Sequence, residues 1–321
     1  MCVRGGVIEE IHFIGPLAPL CTKFIEYKHS VGCKYSREEL SLRAFDRFSA
    51  EQFPYAESLD KELVYAWTAL QPYESNNNQQ FRISVIRQFA KYLDSQGYKA
   101  FIHPPCYNSS GERHIPYIFT ADEIQRIFFV ADHMEPRGIS PYRHITTPVI
   151  IKTLYGCGLR ITEVLTLRMG DVDVNSRSLI ILNSKYNKSR IVPMSDSLWQ
   201  IYQNYLTRYR SNAEADDPLF PDQLTAHGFY SRFREILYHA KISHRGIGKG
   251  PRLHDMRHTF AVHCLNRWQR QGVDVYTMLP ILSEYLGHSS ISATSNYLRL
   301  TPASFDEILS LAKTNHPLFG G

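Results

Sequence analysis

The 321-residue sequence lacks any apolar run of the eighteen or so residues that a transmembrane helix requires. Its first residues, Met1 to Gly6, also lack the apolar core of a signal peptide. These two absences exclude a membrane-spanning protein and predict a chain that stays in the cytoplasm.

Cysteine is scarce, and the six cysteines show none of the short spacings of metal-ligand motifs. Scattered thiols are typical of proteins from a reducing compartment, so we expect neither disulfides nor a metal site. The six are Cys2, Cys21, Cys33, Cys106, Cys157 and Cys264.

A large excess of one charge is also lacking, since 36 Lys and Arg residues face 31 Asp and Glu residues. Residues 1–106 hold 12 basic and 12 acidic side chains, so the whole excess of five falls in residues 107–321. A modest local excess is compatible with nucleic-acid binding but does not establish it.

The length favours two domains rather than one. The segment from His103 to Arg113 is rich in Pro, Gly, Ser and Asn, which interrupt helices and strands. We therefore predict an N-terminal domain over residues 1–106, a linker over 107–115 and a second domain over 116–321.

Helical patterns dominate the first domain. Ser36 and Glu39 have the spacing of a capping box, and residues 79–95 place apolar side chains at helical intervals. The aromatic residues of these segments are predicted to form a core.

The second domain shows both helical and strand signals. Thr120 and Glu123 form another candidate capping box, and Thr162 is a candidate cap for a helix after Arg160. Residues 178–182 and 190–193 are predicted to form the two strands of a hairpin with a polar turn. The sequence thus predicts a mainly α fold with a small antiparallel β-sheet.

Candidate chemistry lies near the C-terminus. His254 and Arg257 are three residues apart, so a helix would present an imidazole beside a guanidinium, a pair suited to a phosphate. His288 and Tyr297 follow from a separate segment. A phenol can act as a covalent nucleophile where cations stabilise the charge that develops.

Other interpretations of this region fit less well. A zincin helix would use His254 and His258 but needs Glu where Asp255 stands, and the segment from Gly246 to Pro251 fails the P-loop pattern. His258 and His263 are interpreted as packing or capping residues. Tyr285 is a rival nucleophile, although its place in an apolar run favours burial.

These motifs together resemble the two signature boxes of the tyrosine recombinases, or phage-integrase family. The first box is matched by residues 154–167, and the second by residues 254–261 and 286–289 followed by Tyr297. Residues 184–193 resemble the hairpin on which the family carries a lysine. The resemblance implies an N-terminal SAM-like core-binding helical bundle and an α+β tyrosine-recombinase catalytic domain.

The resemblance also implies residue roles. Tyr297 would attack a DNA phosphate to give a 3′-phosphotyrosyl linkage, and neither ATP, a metal nor another cofactor would be required. Glu163 and Asp255 would support the catalytic residues, with Lys188 as the fallback for the lysine. The catalytic residues would be Arg160, Lys185, His254, Arg257, His288 and Tyr297.

The expected partner is double-stranded DNA with paired half-sites, bound near the nucleoid. A tetrameric synapse would form through a C-terminal helix with an apolar stripe over residues 305–312, and accessory DNA-bending proteins are further expected partners. Candidate DNA-contacting residues are Lys23, Lys28, Lys34, Arg82, Arg87, Lys91, Lys188 and Arg190.

The interval from Arg257 to His288 is longer than in the compact Xer enzymes, with residues 266–274 as the extension. This length favours the integrase or transposase of a mobile element. The alternatives are Xer-like dimer resolution, a type IB topoisomerase and a non-catalytic DNA-binding regulator.

Overall fold

The structure of the protein is a computed structural model. It describes residues 13–105, 115–138, 140–182, 189–221, 224–243, 246, 250–288 and 290–300. The chain divides into two compact units, Met1–His114 and Ile115–Gly321. Helices predominate and the sheet is small and antiparallel, which confirms the predicted fold class. No helix in these ranges is long and apolar enough to cross a membrane.

Four helices form most of the described part of the first unit. Its helices are α1 (Ala18–Ser30), α2 (Ser36–Gln52), α3 (Lys61–Thr68) and α4 (Asn76–Ser95). Phe89 of α4 packs against Phe24 of α1, with ring centroids 5.3 Å apart, and against Phe45 of α2 at 6.4 Å. The predicted aromatic core is therefore confirmed.

The predicted cap at Ser36 is wrong. Tyr35 precedes α2 in a left-handed conformation, with φ of 46°, and the Ser36 hydroxyl donates to the carbonyl of Lys34 instead. Glu39 lies 2.7 Å from the Arg43 guanidinium one turn later. The helix thus begins one residue earlier than a cap at Ser36 would place it, and it is stabilised by a different contact.

Arg82 is corrected from a DNA-contacting residue to a structural one. Its side chain is buried, and its guanidinium donates to the Glu74 carboxylate and to the carbonyls of Trp67 and Ala69. Because the Glu74 carboxylate neutralises its charge inside the domain, Arg82 acts as a structural residue.

The second unit joins helices to one sheet. Its elements are α5 (Ala121–Asp132), α6 (Arg143–Gly156), α7 (Ile161–Leu165), β1 (Val172–Asp173), β2 (Ser178–Ile181), β3 (Arg190–Pro193), α8 (Asp196–Tyr209), α9 (Ala226–His239), α10 (Asp255–Arg270), α11 (Val275–Leu286) and α12 (Ile291–Ser295), with 3-10 turns at Met169–Asp171 and Asn296–Leu300. The sheet order is β1-β2-β3, with both pairs antiparallel.

The predicted hairpin is confirmed in its strands. Leu179 of β2 pairs with Val192 of β3, and both side chains are buried. Strand β2 ends at Ile181, one residue before its predicted end, and Leu182 is exposed. The tip, with Lys185 and Lys188, lies outside the described residues.

Helix capping in this unit follows one prediction and departs from another. The Thr120 hydroxyl and the Glu123 carboxylate form the predicted capping box at the start of α5. At α7 the helix begins at Ile161, so Thr162 lies inside it. The backbone N–H of Arg160 instead donates to Glu163, which makes that carboxylate the stabilising group.

One apolar cluster holds the C-terminal elements on α10. Ala261 and Leu265 of α10 pack with Leu282 and Leu286 of α11, and Tyr297 belongs to the same buried cluster. The 3-10 turn that carries Tyr297 is thereby placed beside the start of α10. The predicted extension over residues 266–274 forms the end of α10 and the turn to α11.

Candidate active site

Backbone carbonyls fix the two arginines predicted to face a phosphate. Arg257 is 1% exposed, and its two terminal nitrogens donate to the carbonyls of Gly158, at 2.9 Å, and Leu286, at 2.7 Å. Arg160 donates to the carbonyl of Gly287 at 3.3 Å. Burial and the nearby charge of Arg160 lower the pKa of Arg257 to about 10, which still leaves it cationic at neutral pH.

Glycine is required at the turn that binds Arg257. Gly158 has φ of 59°, and a Cβ there would lie 2.4 Å from Cδ1 of Phe260. We expect Gly158→Ala to lower the free energy of unfolding by about 2 to 4 kcal/mol, from left-handed strain and overpacking together. Urea unfolding measures this loss.

Gly272→Ala is the matched control, because Gly272 has φ of 73° and the methyl group that alanine adds would meet no described atom within 4 Å. It should cost only the strain, about 1 kcal/mol. Equal losses for both variants would contradict the packing argument.

Glu163 links the first box to the sheet. Its carboxylate accepts from the Arg160 side chain at 2.7 Å and from two nitrogens of Arg190 at 3.1 and 3.0 Å. Burial alone would raise the pKa of Glu163, but the hydrogen bonds and charges of Arg190 and Arg160 lower it below its ordinary value. The predicted Arg160–Glu163 pair is present, and Glu163 is ionised.

Arg190 is therefore corrected from a DNA-contacting residue to a buried support. Its side chain is 6% exposed, and its Nε also donates to the carbonyl of Tyr285 at 2.9 Å. All three guanidinium nitrogens are thus bonded within the protein.

Two histidines flank the arginines. His254 lies at the start of α10, and His288 follows α11 with its Nδ1 2.7 Å from Oγ1 of Thr294. Although part of the His254 side chain is exposed, desolvation and then the charges of Arg257 and Arg160 lower its pKa to about 4. The same causes lower the pKa of His288 to about 4. Both rings are neutral at pH 7.

These shifts predict how stability depends on pH. Between pH 4 and the ordinary histidine pKa of 6.5, the unfolded chain binds protons that the folded His254 and His288 do not. The free energy of unfolding should therefore rise with pH across this window. In urea unfolding, the double variant His254→Gln and His288→Gln should show a shallower rise, and an unchanged slope would contradict the assignment.

Tyr297 is 4% exposed, and its hydroxyl lies 3.0 Å from Nδ1 of His258. Its ring stacks on His288 with centroids 6.1 Å apart. Burial raises the pKa of Tyr297, while the charge of Arg257 and a hydrogen bond with it act in the opposite direction. The phenol oxygen thus lies beside a ring nitrogen of His258 and close to the charge of Arg257.

His258, which the sequence pattern assigns to packing or capping, instead contacts the candidate nucleophile. The signal was available in the sequence, since His258 stands one helical turn after His254 and shares its face. His263 has a different partner, the hydroxyl of Tyr155 at 2.8 Å. The rival Tyr285 donates its hydroxyl to the carbonyl of Pro193 at 3.0 Å, and burial raises its pKa.

The other residues predicted from the sequence differ in how exposed they are. Asp255 is 1% exposed and accepts from the backbone N–H of Arg252 at 2.7 Å, which stabilises the start of α10. Among the basic residues of the first unit, Lys23, Lys34 and Lys91 are exposed. Lys28 and Arg87 are half-buried, and Lys28 donates to Gln88 at 3.1 Å.

Comparisons with known proteins identify the family of the chain. The sequence profile of the phage integrase family matches residues 118–304. The putative integrase/recombinase y4rB of Sinorhizobium fredii is 33% identical over 302 residues, covering 89% of this chain and 94% of that protein. The tyrosine recombinase XerA of Pyrococcus horikoshii is 27% identical over 241 residues, covering 74% and 75%.

Solved structures show the same fold. The XerH site-specific recombinase bound to palindromic difH substrate matches with a TM-score of 0.66 and 18% identity, covering 95% of this chain and 98% of that one. The Tn1549 transposon integrase in complex with transposon right end DNA matches with a TM-score of 0.61 and 18% identity, covering 92% and 99%.

Fold, site and relatives together define a tyrosine-type site-specific recombinase. The chain belongs to the phage integrase family.

Proposed function

We propose that the protein cuts and rejoins DNA through Tyr297. The phenol oxygen attacks a scissile phosphate, which forms a 3′-phosphotyrosyl bond and releases a 5′ hydroxyl. The energy of the broken bond is kept in the new one, so the joining step needs no ATP. The observation that carries this proposal is the placement of the Tyr297 hydroxyl beside Arg257 and His258.

Arg257 and Arg160 bind the nonbridging oxygens of the phosphate. Their guanidinium groups are fixed in advance by Gly158, Leu286 and Gly287, so little reorganisation is required as negative charge develops. Cations held in this way stabilise a transition state more than mobile side chains would.

The remaining roles concern hydrogen bonds and protons. His254 and His288 are neutral at pH 7, so each ring carries one N–H that can donate to a phosphate oxygen. Lys185 protonates the leaving 5′ oxygen, a role assigned because its position resembles that of the family's lysine. Lys188 is the alternative. Both lysines lie outside the described residues.

The first unit binds the DNA duplex. Lys23, Lys34 and Lys91 are exposed and can meet phosphates, whereas Arg82 is paired with Glu74 inside the unit. Two subunits occupy paired half-sites, and four subunits form the synapse through the apolar stripe of residues 305–312. DNA-bending proteins are accessory partners, and the reaction takes place at the nucleoid. That stripe lies outside the described residues.

The biological role we propose is integration, excision or transposition of a mobile element. Support comes from y4rB, a putative integrase/recombinase, and from the Tn1549 transposon integrase. The second candidate is Xer-like dimer resolution, because the tyrosine recombinase XerA is also similar to this chain.

Covalent capture on DNA tests the proposal. The protein is mixed with fragments of the DNA that flanks its own gene, in excess EDTA, and denatured, and the protein-linked fragments are sequenced. We expect one recurrent sequence with inverted half-sites, linked through its 3′ phosphate. Linkage that requires added magnesium or zinc would contradict the metal-independent mechanism.

A supercoiled plasmid with and without that sequence separates the alternative classes. Recombination between two sites supports the proposal. Relaxation of both plasmids alike would indicate a type IB topoisomerase, and binding without nicking would indicate a regulator.

A further inference from the structure

A histidine outside the predicted catalytic set contacts the candidate nucleophile. His258 lies on α10, and its Nδ1 is 3.0 Å from the hydroxyl of Tyr297, which is 39 residues away in sequence. The His258 ring stands perpendicular to that of His254, with centroids 4.7 Å apart. The ring of Tyr297 lies 5.5 Å from that of His258. The hydrogen-bond length is within the range that proton transfer requires.

We propose that His258 orients the Tyr297 hydroxyl and accepts its proton as the phenol attacks the phosphate. The proposal rests on the proposed function, because it assigns a role within that reaction. It adds a seventh side chain to the catalytic set, one that acts on the nucleophile rather than on the phosphate.

The chemistry of the phenol explains why such a group is needed. A neutral phenol is a weak nucleophile, and burial raises the pKa of Tyr297, so little phenolate is present at neutral pH. The proton moves from the phenol oxygen to Nδ1 of His258 as the bond from that oxygen to phosphorus forms. The bond from phosphorus to the 5′ oxygen breaks, and that oxygen takes a proton from a separate donor. Rejoining reverses both transfers.

The other two histidines are placed for a different task. Nδ1 of His288 is bonded to the Thr294 hydroxyl, and desolvation with the charges of Arg257 and Arg160 lowers the pKa of both His254 and His288 to about 4. A base with so low a pKa is a poor acceptor for a phenol proton at neutral pH. Both rings suit hydrogen bonding to the phosphate instead.

Three variants separate orientation from proton transfer. His258→Ala removes both and should lower the rate of covalent adduct formation on the captured DNA about 100- to 10,000-fold, with DNA affinity unchanged. His258→Asn places an amide near the position of Nδ1, so it can hold the hydroxyl but cannot take its proton, and should remain at least about 10-fold slow. Added imidazole should accelerate His258→Ala but not Tyr297→Phe.

His263→Ala is the matched control, since it also removes a histidine of α10 that is bonded to a tyrosine hydroxyl. It should keep the wild-type rate and gain nothing from imidazole. The proposal is overturned if His258→Ala cuts within about threefold of the wild type, if His258→Asn is fully active, or if imidazole has no effect on His258→Ala.

A measurement without DNA keeps the contact testable if no cleavage is found. In the NMR spectrum of protein labelled with ¹³Cζ-tyrosine, the resonance of Tyr297 is the one that disappears in Tyr297→Phe. Its chemical shift should change in His258→Ala and stay the same in His263→Ala. An unmoved resonance overturns this inference whatever the DNA result. A wild type that forms no adduct while the resonance moves would count against the proposed function and leave the contact standing.

Discussion

Tyr297→Phe should reduce covalent capture of DNA to the detection limit while DNA affinity stays within about twofold of the wild type. The change removes only the hydroxyl, and the buried ring keeps its packing against His288. Loss of the hydrogen bond to His258 should cost about 1 kcal/mol of unfolding free energy. Adduct formation followed on denaturing gels, with affinity from mobility shifts, measures both quantities.

Tyr285→Phe is the control for this experiment. Its hydroxyl is also hydrogen-bonded within the protein, donating to the carbonyl of Pro193, so each variant loses a hydroxyl contact. Tyr285→Phe should form adduct at the wild-type rate. A protease-sensitive linkage to DNA that persists in Tyr297→Phe and disappears in Tyr285→Phe would reverse the assignment of the nucleophile.

Local patterns in the sequence predict much of this fold because short-range contacts decide them. The capping box of Thr120 and Glu123 spans three residues, and β3 has the ends that its sequence predicts. The pair of Arg160 and Glu163 is also three residues apart. Each is decided within about one helical turn or one strand, which is the range over which spacing is informative.

Contacts between distant residues do not follow from such patterns. Arg257 donates to the carbonyl of Gly158, 99 residues away, and Arg190 binds Glu163 from 27 residues away. Residue spacing cannot show which carbonyl a guanidinium will meet after folding. The sequence therefore indicates which residue types surround the phosphate but not how the backbone orients them.

Arg82 and Arg190 show a related limit for charged residues. A basic residue on a helix or strand is usually exposed, and with the family resemblance this made both residues candidates for contact with DNA. Each is instead buried against a carboxylate, Glu74 or Glu163. Pairing of a buried charge depends on the packing of separate segments, which residue spacing does not reveal.

Glu163→Gln should have the largest effect on stability. It leaves Arg190 buried without a negative partner, and removal of one member of a buried ion pair costs about 3 to 5 kcal/mol. Adduct formation should also fall, by about 10- to 100-fold, because Arg160 loses the carboxylate that orients it. Urea unfolding and adduct formation on the same preparation measure the two losses.

Asp122→Asn is the control, because it breaks an exposed ion pair with Arg126 whose nitrogen and oxygen lie 2.9 Å apart. Its cost should be about 0.5 kcal/mol or less. Adding Arg190→Met to Glu163→Gln should restore part of the lost stability, since the uncompensated buried charge is then gone. It should not restore cleavage, because Arg160 still lacks its carboxylate. A double variant less stable than Glu163→Gln alone would show that Arg190 stabilises the site through packing or through its bond to Tyr285 rather than through charge.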